Sequence, residues 1–279
     1  MRFPAFWALG RHGPASAWGW SDASLAEARE LGDRRAKSLS DLLRRGDRPP
    51  RRGEYYPDRP LREPVLRELA DADGAVGAVV SRNAYGAEIL NAADALFVDV
   101  DLPPPRRPGL LARLLGAKAP APGSPSPAEE AVLAQARAWA RSHPGWGWRA
   151  YRTAAGLRLL ATHAPFDPAD PLVAAAFEAL GADPLYRRLC SAQRCFRARL
   201  TPKPWRVGIR DEPPRWPWAG PGEERAFIAW DRAYRVAAGR HAACELAAVI
   251  GSTEVHPALR DLLALHDAAC RVGSGLPLA

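Results

Sequence analysis

Apolar positions recur at helical spacing over residues 22–46, where Leu25, Ala28, Leu39 and Leu42 fall on one face. Ser24 and Glu27 have the spacing of a capping box, and Gly46 supplies a stop. Val65–Ala72 reads as a short helix, Ala75–Ser81 as a strand and Tyr85–Asn91 as a second strand or hairpin arm. A further helix opens at Ser126-Pro127, with Glu129 three residues beyond the cap, and buries Val132, Leu133, Ala136 and Trp139. Trp148–Thr153 and Leu157–Ala161 flank Ala154-Ala155-Gly156 as a β-hairpin. Asp170-Pro171 starts another helix that Gly181 ends, and Arg194–Thr201 alternates as a strand. After a Pro/Trp-rich loop at 213–222, two helices are predicted over about 224–249 and 257–271. There are no internal repeats, and strands and helices mix without a βαβ rhythm, so the predicted class is α+β.

The stretch Phe97-Val98-Asp99-Val100-Asp101-Leu102 breaks the ordinary pattern. Alternate residues of a strand share a face, so Asp99 and Asp101 project together while Val98, Val100 and Leu102 pack the other side. Two adjacent carboxylates at a buried strand end are costly unless a positive group sits between them. A divalent cation with all-oxygen ligands, Mg²⁺ or Mn²⁺, answers that need. A plain strand end, with the second Asp capping a turn, is the structural alternative.

Residues 103–128 (PPPRRPG, LLARLL, APAPGSPSP) resist both helix and sheet and read as a surface insert. With the basic, proline-broken connector Arg44–Arg62, this divides the chain into three parts. They are a helical N-terminal extension with its connector (1–62), an α+β core (63–212) and a C-terminal helical hairpin packed on that core (213–279).

The net charge of +8 points to nucleotides, DNA, RNA or another polyanion as partner. A GC-rich coding sequence explains much of the arginine and alanine, since the lysines are only Lys37, Lys118 and Lys203. Four scattered cysteines without a CxxC pair suit a reducing, cytoplasmic setting, and neither a signal peptide nor a membrane span is read.

Two more constellations carry chemistry. In Cys195-Phe196-Arg197-Ala198-Arg199-Leu200-Thr201-Pro202-Lys203, the residues Arg197, Arg199 and Thr201 share a strand face and Lys203 extends the basic row. Forked guanidinium donors and a lysine point charge suit phosphate oxygens. A solvated sheet face, or arginines neutralising the Asp pair, would look the same. In Arg152-Thr153-Ala154-Ala155-Gly156-Leu157-Arg158 an arginine stands on either arm of a tight turn. Asp183, before Pro184, reads equally as a third metal carboxylate or as a helix N-cap. Trp205, Trp216 and Trp218 either stack single-stranded bases or pack on the core. His241, Cys244, His266 and Cys270 would meet across an antiparallel helical hairpin as a Cys₂His₂ zinc site; buried cysteines and satisfied histidines are the commoner outcome.

In order, these segments resemble the three motifs of the archaeo-eukaryotic primase superfamily, the primase-polymerases, over roughly residues 75–210. Asp99 and Asp101 match the paired acids of the first motif. Gly156-Leu157-Arg158 stands where the second places a small residue, any residue and histidine, with arginine replacing the histidine. Ala182-Asp183, followed by the basic strand and Lys203, is similar to the third. The resemblance implies a primase-polymerase-like core and nucleotidyl transfer onto a 3′-hydroxyl. It assigns two Mg²⁺ or Mn²⁺ ions to Asp99, Asp101 and Asp183, and the triphosphate to Arg152, Arg158, Arg197, Arg199 and Lys203. A catalytically silent nucleotide- or nucleic-acid-binding module, or another metal-dependent phosphotransferase or nuclease, are the competing functions.

Overall fold

Small residues decide the N-terminal layer. Strands β1 (Phe6–His12) and β2 (Ala15–Ser21) form an antiparallel hairpin, and helix α1 (Leu25–Arg44) lies across it. The buried face of α1 is Ala28, Gly32, Ala36 and Ser40, one residue per turn. A Cβ at Gly10 would stand 2.0 Å from the Gly32 carbonyl carbon, and one at Gly19 would stand 2.0 Å from the Ala28 oxygen. Helix and hairpin therefore touch backbone to backbone, an approach only glycine permits. The N-terminal extension expected as helical thus begins with a hairpin. The computed structural model describes residues 1–47, 60–70, 74–103 and 125–279. Most of the basic connector (48–59) and of the proline-rich insert (104–124) lies outside them.

Two antiparallel four-stranded sheets follow. The first has the order β10 (Cys244–Gly251), β7 (Gly147–Thr153), β8 (Gly156–Ala161), β6 (Phe97–Asp101). The second has the order β3 (Val65–Ala70), β4 (Val76–Arg82), β5 (Glu88–Ala92), β9 (Phe196–Arg199). One apolar core joins them, built from strand residues such as Phe97, Leu159, Leu90 and Phe196. Helix α2 (Pro127–Ser142) adds Val132, Leu133, Ala136 and Trp139 to it. Helices α3 (Pro171–Ala179) and α4 (Pro184–Gln193) contribute Val173, Phe177 and Tyr186, and α6 (Arg260–Cys270) contributes Leu262 and Cys270. Helix α5 (Pro221–Ala238) packs Trp230 and Tyr234 in a smaller cluster against Val207 and Ile209. The arrangement is α+β. Among the described residues, no helix is long and apolar enough to cross a membrane.

One expected helix is a strand, and another ends early and gives way to one. Val65–Ala70 is an edge strand, because the open edge of β4 offers backbone partners from Ser81 to Val76. The helix expected over 224–249 stops at Ala238, capped by Gly239, and Cys244–Gly251 pairs along β7. Glu245-Leu246-Ala247-Ala248 has good helix propensity, but pairing with the exposed backbone of β7 outweighs it. The C-terminal segment is therefore not a helical hairpin, and its strand belongs to the core sheet.

Candidate functional site

The site lies where the edge strands of the two sheets, β6 and β9, approach each other. Two side chains tie that seam. The Tyr186 hydroxyl donates to the Phe97 carbonyl (3.0 Å) on β6 and accepts from the Arg197 N–H (3.3 Å) on β9. Arg158, on β8 and 1 % exposed, donates from Nη1 to the Arg199 carbonyl (2.8 Å). Edge strands carry unpaired backbone groups, and these contacts satisfy several of them without a continuous ladder.

A cavity of about 180 Å³ opens on this seam, lined by Asp99, Asp101, Asp183, Arg158, Arg199 and Lys203 among others. Asp99 and Asp101 share the open face of β6, while Val98 and Val100 are buried behind it. Asp99 pairs in register with Arg158, and Asp101 with Gly156. A Cβ on Gly156 would fall 2.0 Å from the Val100 oxygen, so glycine at that turn lets the hairpin close on the carboxylate strand. Asp183 caps α4, its Oδ1 accepting from the Tyr186 N–H at 2.7 Å, and its own N–H donates to the Asp99 carbonyl at 3.0 Å. Asp183 is thus the helix cap that its sequence allowed, and it also lines the cavity.

The carboxylates are partly committed. Arg158 Nε donates to Asp99 Oδ1 at 3.0 Å, and no hydrogen bond to the second Asp99 oxygen is made among the described residues. Asp101 is exposed and has no hydrogen-bond partner among the described residues. Oxygens of Asp99, Asp101 and Asp183 do not all lie within 4.8 Å of one another. Their donor chemistry suits a hard cation such as Mg²⁺ or Mn²⁺.

Cations line the same cavity. Thr201 accepts from the Glu88 N–H (2.9 Å) and donates to the Tyr234 hydroxyl (2.7 Å), which donates to the Pro202 carbonyl (2.7 Å). This chain of bonds fixes the loop carrying Lys203 and the 3₁₀ turn Pro204–Val207. Burial, then the neighbouring Arg199 and Arg206 charges, hold the Lys203 ammonium below its usual pKa, while Asp101 and Asp99 oppose the shift. Arg206 is lowered for the same reasons, burial first and Arg199 second. Its buried Nη1 has no hydrogen-bond partner among the described residues. Crowded, incompletely paired cations of this kind favour a bound anion.

Not every expected arginine takes part. Arg152 is paired with Glu129, the capping-box residue of α2, at 2.5 Å. Arg197 makes a forked pair with Glu63 at 2.7 and 2.8 Å. Neither lines the cavity. Arg158 lines the cavity, with Nε bonded to Asp99 and Nη1 to the Arg199 carbonyl. Of the expected basic row, Arg199 and Lys203 line the cavity, and Arg206, which the sequence reading passed over although it continues the row three residues beyond Lys203, lies within electrostatic reach of both. Trp218 packs on Phe227, at 5.0 Å between ring centroids, whereas Trp205 is 53 % exposed beside Tyr85 and below the Lys203 ammonium.

Behind Arg158, Cys244, His266 and Cys270 are buried together, their ligand atoms within 4.8 Å of one another. His241 stands apart, its Nδ1 turned to the Ala237 carbonyl. No family model, curated protein or solved structure matches the chain.

Proposed function

We propose that the chain is a metal-dependent nucleotidyltransferase of the primase-polymerase kind, binding a nucleoside triphosphate in the seam cavity. The observation that carries this reading is the meeting of Asp99, Asp101 and Asp183 with Arg199 and Lys203 around one cavity. Carboxylates and crowded cations around one cavity match a cation–polyphosphate ligand, which carries both signs of charge. Asp101 and the uncommitted oxygens of Asp99 and Asp183 would hold Mg²⁺ or Mn²⁺. Bound there, such ions supply Lewis-acid activation of a 3′-hydroxyl and neutralise charge on the departing pyrophosphate. Lys203, Arg199 and Arg206 bind and screen the phosphates without moving a proton. The exposed Trp205 ring, next to Tyr85, offers a face on which a base can stack.

One observation favours a second reading, a nucleotide-binding module without chemistry. Asp99 and Asp183 each commit one oxygen within the fold, to Arg158 and to the α4 cap. Titration with labelled nucleoside triphosphate and Mn²⁺, paired with a labelled primer on a template, separates the readings. Binding should weaken at least about tenfold, or 1.4 kcal/mol, in Asp101→Asn and in Lys203→Ala. A lengthened primer supports the transferase, binding without product supports the module, and a shortened primer indicates a nuclease. Absence of nucleotide binding by the unaltered protein refutes both leading readings.

A further inference from the structure

We propose that Cys244, His266 and Cys270 form a zinc site on the far side of Arg158, distinct in ligand chemistry from the carboxylate cavity. Cys244 opens β10, and His266 and Cys270 lie one turn apart on the inward face of α6. All three side chains are fully buried, and their ligand atoms come within 4.8 Å of one another. Zinc–sulfur bonds of about 2.3 Å and zinc–nitrogen bonds of about 2.0–2.1 Å fit a cluster of that size after slight contraction.

The imidazole is oriented for the task. His266 Nδ1 lies 2.9 Å from Asp267 Oδ1, and Asp267 Oδ2 in turn accepts from Arg149 Nη2 at 3.0 Å. A carboxylate on Nδ1 fixes the tautomer with the proton there, the usual support for a ligating histidine; Nε2 now accepts a long bond from Arg158 Nη1 (3.4 Å), which a metal bond would replace. Tyr151 and Phe97 pack against the ring, with centroids at 4.8 and 5.3 Å, and hold its rotation.

Charge also balances. Two thiolates and a neutral imidazole around Zn²⁺ sum to zero, as does the adjoining Arg158–Asp99 pair, so the enclosed region gains no net charge. Thiolate and imidazole together select zinc over the hard cations suited to the Asp cavity. Binding releases the two thiol protons to solvent, with no electron transferred. The ion would clamp β10 to α6 and support the floor on which Arg158, and through it Asp99, rests. Arg158 Nη1 lies 3.4 Å from His266 Nε2, and Cys270 Sγ lies 3.6 Å from the Arg199 carbonyl.

The test is metal analysis of the full chain, expressed with added zinc and purified without chelator, followed by replacement with Co²⁺. The expected result is one zinc per chain, and thiolate-to-cobalt charge-transfer bands on adding Co²⁺. Cys244→Ser, Cys270→Ser and His266→Ala should lose the metal, while Cys190→Ser with Cys195→Ser, and Asp101→Asn, should keep it. Should the ligand variants fail to fold, the unaltered protein still decides the matter. Zinc-free protein that takes up Co²⁺ without thiolate bands overturns the site, as does protein isolated with Cys244 and Cys270 joined in a disulfide. Retained zinc in Asp101→Asn with lost nucleotide binding keeps this result separate from that of the cavity.

Discussion

Replacing Asp99 should damage the fold as well as the site, and the extent follows from Arg158. That guanidinium is 1 % exposed, and its only carboxylate partner among the described residues is Asp99 at 3.0 Å. Asp99→Asn keeps the shape and removes the charge, stranding a cation that cannot lose its proton. Removing one partner of a buried pair costs about 3–5 kcal/mol. The Asp99 side chain is itself 35 % exposed, so water partly solvates the hole and the lower end, about 3 kcal/mol, applies. For a chain of this size that is a fall in Tm of roughly 6–12 °C. Asp101→Asn, at an exposed position whose side chain makes no hydrogen bond or close ion pair among the described residues, should change stability by less than about 0.5 kcal/mol. Differential scanning fluorimetry of both variants reads the contrast directly. Adding Arg158→Met to Asp99→Asn should recover part of the loss, because the stranded charge is gone. Equal melting of the two single variants, or strictly additive losses in the double variant, would refute the argument. The practical consequence is that Asp101→Asn, not an Asp99 variant, is the clean probe of chemistry.

Tyr186→Phe should cost about 1–3 kcal/mol by chemical denaturation, since the Phe97 carbonyl and the Arg197 N–H both lose the hydroxyl at the seam. A variant as stable as the parent would mean the seam is held by packing alone. Gly156→Ala places a Cβ 2.0 Å from a backbone oxygen, so soluble yield and Tm should both drop; a neutral result would show that the hairpin can shift. Glu63→Gln strands the mostly buried Arg197 and should lower Tm while leaving nucleotide affinity within about twofold, the pair being outside the cavity. A comparable loss of affinity would place Arg197 in the binding set after all.

Local sequence carried a good deal of this molecule. The carboxylate strand, the 147–161 hairpin and the capping-box helix at Ser126 are visible because period and end signals agree there. The cap at Asp183 was visible too, but its position beside Asp99 was not, since a backbone bond across 84 residues has no local signature. The strands at Val65–Ala70 and Cys244–Gly251 were hidden for a related reason: both are helix-compatible segments whose state is set by an unpaired sheet edge.

The same division runs through the site. Residue types by themselves determined that acids, bases and soft ligands were present, and alternation placed Asp99 with Asp101 and Arg197 with Arg199. Only the tertiary structure decided which charges face a cavity and which neutralise each other. Arg152 and Arg197 met Glu129 and Glu63, while Arg199 and Lys203 line the cavity with no ion pair within 4.0 Å among the described residues. Arg158 became the counter-charge of Asp99, and Cys244 moved from a supposed helix to a strand that brings it against His266 and Cys270. Pairing of buried charge depends on which distant segments share a low-dielectric space, and that is a property of packing that spacing along the chain does not encode.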